Sequence, residues 1–190
     1  MEQFNQFIDN IDEIVKKYEK DSDILPRIKP LLEELLQTPD FPKEAFYPRK
    51  DRFANNLIYL SSDKTFSIIG AVWLPHQSTP IHDHLTWALV GLYEGEEHET
   101  VYRRIDDNST KAVLEQVSNN INNKGHISML GKEGIHCIEN VSDKPSSSIH
   151  IYGNDLGNTK RHTYNPITED IGTFLTGYDS VLRIIKENKS

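Results

Sequence analysis

Chemistry in this chain is carried by its histidines. His82-Asp83-His84 sets two imidazoles at i and i+2. On an extended strand those positions share one face, so both rings can reach one point. His136 opens another strand-like run after Gly131-Lys132-Glu133-Gly134. Three neutral imidazoles converging at the mouth of a β-barrel would make a site for a divalent first-row metal. Taken alone, His-x-His serves equally well for a pair of turn or surface histidines.

Those residues need a scaffold that brings distant strands together, and the sequence points to one. From about residue 55 short β-type runs follow one another: 57–60, 66–73, 87–93, 99–103, 112–117, 126–130, 136–139 and 147–152. Polar turns separate them, including the Asn-rich stretch at 119–123. About eight short strands at close spacing predict an antiparallel sandwich or barrel. No helical pattern of ten to fifteen residues intervenes, which counts against a parallel α/β sheet. The first ~40 residues read as helical. Phe4, Phe7, Ile8, Ile11, Val15 and Tyr18 recur at helical spacing, and Ile24, Ile28, Leu31, Leu32, Leu35 and Leu36 form a second set. Pro26 and Pro30 place the start or restart of the second helix near Pro30. The tail from Pro166 is mixed, with a terminal helix expected over 181–185.

Composition bounds the rest. The 190 residues carry 21 Lys plus Arg against 29 Asp plus Glu, a net charge of −8. That balance argues against a nucleic-acid backbone as partner. No run approaches the roughly 18 apolar residues of a membrane helix, and the opening Met1-Glu2-Gln3-Phe4-Asn5 shows no basic and then apolar leader. The single cysteine excludes an internal disulfide and a four-cysteine zinc site. The expectation is one cytoplasmic domain over 1–190: a helical preface at 1–45, a β-barrel at 50–165 and an extension at 166–190. It would be a monomer or weak homo-oligomer.

The histidine spacing extends into longer patterns. The first motif of the cupin superfamily is His-x-His-x3-Glu-x6-Gly. Here His82-x-His84-x3-Ala88-x6-Gly95 keeps the spacing and puts Ala88 at the Glu ligand. In the second motif Gly125, His136 and Asn140 are in register, with Gly131 for Pro and Glu133 for Gly. The chain thus resembles a cupin, a double-stranded β-helix. Without the carboxylate, the metal's charge is left to an anionic substrate group, and open positions on the ion suit an oxygenase better than a closed structural zinc site.

Within that superfamily the stretch 79–95, together with 134–140 and 148–153, is similar to the thiol dioxygenases, the cysteine and 3-mercaptopropionate dioxygenase family. The resemblance covers about residues 45–165. It implies Fe(II) as the metal, His82, His84 and His136 as its ligands, and Ser148, His150 and Tyr152 as an outer relay. Residues at i, i+2 and i+4 lie on one face of a strand, so hydroxyl, imidazole and phenol can form one hydrogen-bond chain. It also implies a small organic thiol and O2 as substrates and a sulfinate as product. The family's cysteine-binding Arg has no counterpart at 53–56, which favours 3-mercaptopropionate or a related thiol acid over cysteine. Arg161 or Arg52 would then anchor the carboxylate, with Arg161 preferred. The cross-linking cysteine of animal-type members falls near Ala88 or Leu89, so Tyr152 is expected unmodified. The lone Cys137 should point away from the metal.

Other residues receive plainer readings. His76, His98, His126 and His162 are turn or surface residues, with His162 a candidate for the pocket rim. Glu94-Gly95-Glu96-Glu97 reads as a solvated turn, Trp73 and Trp87 as core or pocket wall, and Asp83 as facing away from the metal. Two other functions remain open at this level: a three-His cupin acting on a non-thiol molecule, and a non-catalytic, metal-dependent ligand-binding cupin.

Overall fold

The computed structural model describes residues 2–38, 41, 43–106 and 108–182. Two helices, α1 (Glu2–Lys17) and α2 (Asp21–Leu36), come first, and a short 3₁₀ helix at Lys43–Phe46 leads to the strands. These are β1 (Ala54–Leu60), β2 (Ser67–Trp73), β3 (Ile81–Asp83), β4 (Ala88–Glu94), β5 (Glu96–Arg104) and β6 (Leu114–Asn123). Then follow β7 (Ile127–Leu130), β8 (Ile135–Glu139), β9 (Ser146–Tyr152), β10 (Arg161–Tyr164), β11 (Ile171–Phe174) and β12 (Ser180–Val181).

The strands form two six-stranded sheets, β12-β1-β2-β9-β4-β7 and β11-β10-β3-β8-β5-β6. Their pairings are antiparallel except β1 with β12. This is the cupin double-stranded β-helix, mainly β with an N-terminal helical segment.

Strands β2 and β9 are buried along their whole length, and the period of two explains why. Ile68, Ile149 and Ile151 turn one way, into a cluster with Ile8, Ile11, Ile28 and Leu32 of the helices. Ile69, Ala71, Trp73 and Tyr152 turn the other way, into the cluster that holds Ala88, Val90 and Ile138. The helices therefore cover the outer face of the first sheet, and its inner face is free to build a site. Close approach depends on glycine: a Cβ on Gly70 would stand 1.9 Å from the Ala45 carbonyl oxygen.

Three expectations need correction. Helix α2 runs through Pro26 and Pro30 instead of starting near the latter. Both prolines lie on the exposed side, where a carbonyl that lost its amide partner can meet water, while Ile24, Ile28, Leu32 and Leu35 anchor the other face. The Asn-rich stretch 119–123 is strand, paired residue by residue with β5. Val181 lies in β12, hydrogen-bonded to β1, and not in a helix; residues 183–185 of the expected helix lie outside the described residues.

Candidate metal centre and its surroundings

His82 on β3 stands directly opposite His136 on β8 in the antiparallel register. His84 follows β3, just before Leu85 takes a left-handed φ of 58° and turns the chain. The three rings form an equilateral triangle, each pair of centroids 4.9 Å apart. One nitrogen from each lies within 4.8 Å of the others, and all three residues are buried.

The hydrogen bonds fix two of the tautomers. His82 Nδ1–H donates to the Pro80 carbonyl at 2.9 Å, and His136 Nδ1–H donates to Glu99 Oε1 at 2.7 Å. Each Nε2 is left with its lone pair free, the form a metal ligand needs. In His84 both ring nitrogens are buried, with no partner among the described residues. An imidazole in that state is costly unless something else binds it. Burial, and then the neighbouring His136, hold His82 and His84 far below the usual imidazole pKa, so both are neutral. The donor set fits a divalent transition-metal ion, with Ala88 in place of a carboxylate ligand leaving the set uncharged.

Beside this triangle β9 turns Ser148, His150 and Tyr152 inward. Ser148 Oγ and His150 Nε2 are 2.8 Å apart, and His150 Nδ1 and Tyr152 Oη 2.6 Å. Tyr152 packs its ring 5.0 Å from that of His84, and Trp73 stacks on His150 at 5.6 Å. Burial, and then His136, push His150 down to about 3, while burial raises Tyr152. Both groups are neutral across the ordinary pH range. Ala88 lies opposite Tyr152 in the sheet register, so no thiol is there to modify the phenol.

A narrow cavity of about 20 Å³ opens onto His82, His136, His150 and Tyr152, walled by Phe53, Trp73 and Phe174 and including Arg161. Arg161 is 2 % exposed. Its Nη2 donates to Thr176 Oγ1 at 2.9 Å, its guanidinium lies 4.4 Å from the Phe174 ring, and its Nε has no partner. Among the described residues no carboxylate pairs with it. Arg52 is differently placed. It binds Asp179 and the Phe53 carbonyl and does not line the cavity.

Alternation on β10 sends Arg161 inward and His162 outward, so His162 is not at the rim of this cavity. It lies across the sheet, where Asp83 accepts from its backbone N–H, from its Nδ1–H and from Tyr164 Oη, at 2.9, 2.7 and 2.8 Å. Asp83 thus points away from the triangle to which His82 and His84, on either side of it, belong. Cys137 also turns outward, toward Thr100 and Tyr102, and burial raises its thiol pKa. Trp87 packs with the helices. His76 occupies a turn with φ of 65°, His98 lies beside Asn119, and His126 beside Ser128.

Glu94–Glu97 is not a solvated turn. Gly95, with φ of 89°, is the one residue between β4 and β5, and Glu97 is already inside the barrel at 3 % exposure. Glu99, which orients His136, had one signal in the sequence, its i+2 spacing from Glu97 on a strand. Phe174 and Thr176 had none, because the strand that leads to them is four residues long.

The family model for cysteine dioxygenase type I matches residues 4–165. The chain belongs to the cysteine dioxygenase type I family. The family match ends before β11, so Phe174, which lines the cavity, and Thr176, which binds Arg161, come from outside it. The chain is also similar to solved structures. One is TT1209 from Thermus thermophilus, at 16 % identity over 59 % of this chain and 92 % of that one, TM-score 0.48. Another is a protein with a double-stranded β-helix domain from Klebsiella pneumoniae, at 14 % identity over 64 % and 95 %, TM-score 0.48. A third is a cupin superfamily protein from Desulfitobacterium hafniense, at 15 % identity over 63 % and 93 %, TM-score 0.45. Among the described residues of this family member, no helix is long and apolar enough to cross a membrane.

Proposed function

We propose that this protein is a mononuclear non-haem Fe(II) dioxygenase that adds both atoms of O2 to a small thiol acid, giving the sulfinate. The supporting observation is one buried cavity that joins an uncharged three-histidine triangle, a phenol held by a histidine, and an arginine without a carboxylate partner. Iron would be held by His82, His84 and His136, and there it would give thiol sulfur and dioxygen one meeting point and draw charge between them.

The chain's own residues do the rest. Arg161 binds the substrate carboxylate, and Thr176 and Phe174 hold the guanidinium in place for it. Tyr152 presents its hydroxyl oxygen to the reacting atoms, and His150 and Ser148 hold the phenol in that orientation. Phe53, Trp73 and Phe174 exclude water, which strengthens every charge interaction inside. An anchor set apart from the metal ligands, on a different strand, favours 3-mercaptopropionate or a similar thiol carboxylate.

The nitric-oxide adduct of the iron-loaded protein tests this reading. Adding 3-mercaptopropionate should change its electron paramagnetic resonance spectrum, because the thiolate enters the iron's coordination. A spectrum indifferent to every thiol acid would leave the histidines to a non-thiol substrate.

A further inference from the structure

At its far end the β9 relay meets a residue that the chemistry above leaves unused. Glu97 of β5 is 3 % exposed, and its Oε1 has no hydrogen-bond partner among the described residues. Its carboxyl lies beside the hydroxyls of Ser148 and Ser146, and the Ser146 Oγ is itself unpartnered. Glu99, two residues on, is committed elsewhere. Its Oε1 accepts from His136, and its Oε2 accepts from Asn122 and Ser128. Glu97 has no such commitments, and it stands next to the serine that terminates the chain from Tyr152.

We propose that Glu97 is the outer end of the Tyr152–His150–Ser148 chain and takes up the proton that the substrate thiol loses. The inference rests on the thiol dioxygenase reading and deepens it. The step moves protons only. The S–H bond breaks and its proton joins the Tyr152 oxygen. Tyr152 passes its own proton to His150 Nδ1, His150 passes the proton on Nε2 to Ser148 Oγ, and Ser148 passes its hydroxyl proton to the Glu97 carboxylate. Tyr152, His150 and Ser148 end neutral as they began, one thiol has become a thiolate, and one carboxylate has become an acid. Nothing is oxidised or reduced.

The setting of Glu97 suits that task. Burial and the charge on Glu99 raise its pKa to about 8, while Ser148 and Ser146 pull it back. A thiol ordinarily titrates near ~8.5. Only the ionised form of Glu97 can accept, so the step should quicken as pH rises through about 8, where transfer between groups so matched is nearly level in free energy. Glu97 therefore acts through Ser148 and His150 as a positioning and proton-holding residue, without touching substrate.

Two readouts test it. In the metal-free protein, the infrared difference between wild type and Glu97→Gln should show a carboxylic-acid C=O band at neutral pH that fades through about pH 8. A Glu97 that keeps its acid band at about pH 10 can accept no proton and overturns the proposal. In the iron-loaded protein with 3-mercaptopropionate, Glu97→Gln should lower kcat on the order of 10²-fold with little change in KM, and flatten its pH profile. Ser148→Ala should do the same, and the double variant should lose no more than either alone, since both cut one chain. An unaffected Glu97→Gln, or losses that add, overturn the proposal alone. A wild type inert to all thiols overturns it together with the thiol reading, and the infrared arm reports on the carboxyl without any turnover.

Discussion

Arg161 keeps a positive charge inside the barrel with a hydroxyl and an aromatic face as its partners. Burial lowers its pKa, yet a guanidinium stays charged across the ordinary range, so the site is short of one anion. Arg161→Ala should raise KM for 3-mercaptopropionate and mercaptosuccinate by roughly 10- to 100-fold, the worth of a charged hydrogen bond. It should leave cysteamine, which has no carboxylate, almost unchanged. Equal effects on all three thiols would remove Arg161 from substrate binding. Glu97 makes a second prediction at this scale, on stability. Its folded pKa, about 8, lies above the ordinary 4.5, so folding favours its protonated form. That contribution is complete below the ordinary carboxylate range and is lost as pH rises through about 8. Urea unfolding should show Glu97→Gln gaining on wild type from about pH 5 to about pH 8, by up to roughly 4 kcal/mol. A difference that stays constant with pH contradicts the assignment.

Among the elements, β3 is the shortest strand with a direct part in the site, three residues long, and it carries His82. It is held between β8 and β10. Asp83 ties it to β10 with three hydrogen bonds, and β10 carries Arg161. One outward-facing carboxylate therefore adds to the backbone pairing that holds the strand of the histidine triangle beside that of the proposed anchor. Asp83→Asn should cost about 1–3 kcal/mol in urea unfolding of the metal-free protein. It should also weaken iron binding by roughly 10-fold, as loss of support behind a ligand does. Unchanged stability and iron affinity would show that β3 is held by its backbone pairing alone. Here the limits of sequence are physical. Strands β2, β4 and β9 were legible because seven-residue apolar or alternating runs have a readable period. Strands β3, β10, β11 and β12 span two to four residues and show no period at all. The inward turn of Glu97 was hidden for another reason: one glycine at positive φ replaces a longer turn, and that depends on the pairing of β4 and β5.

At the scale of the whole molecule, the two sheets divide the labour. The second sheet presents the histidine triangle from β3 and β8 and the arginine from β10. The first presents the Ser148–His150–Tyr152 chain from β9, and its other face is sealed by α1 and α2. The cavity exists where the two inner faces meet, which is why His82, His136 and Tyr152 come together from positions so far apart in sequence. Their residue types and their i, i+2 spacing were legible in the sequence; the physical ground for Arg161 over Arg52 as the cavity arginine was not. That ground is Asp179, which claims Arg52 from the far end of the chain. The central claim is thiol dioxygenation at this junction, and oxygen uptake tests it most directly. The iron-loaded protein with 3-mercaptopropionate should consume one O2 per sulfinate formed, with both sulfinate oxygens labelled when ¹⁸O2 is supplied. Iron-loaded protein that consumes no oxygen with 3-mercaptopropionate, cysteine, cysteamine or mercaptosuccinate would contradict the account.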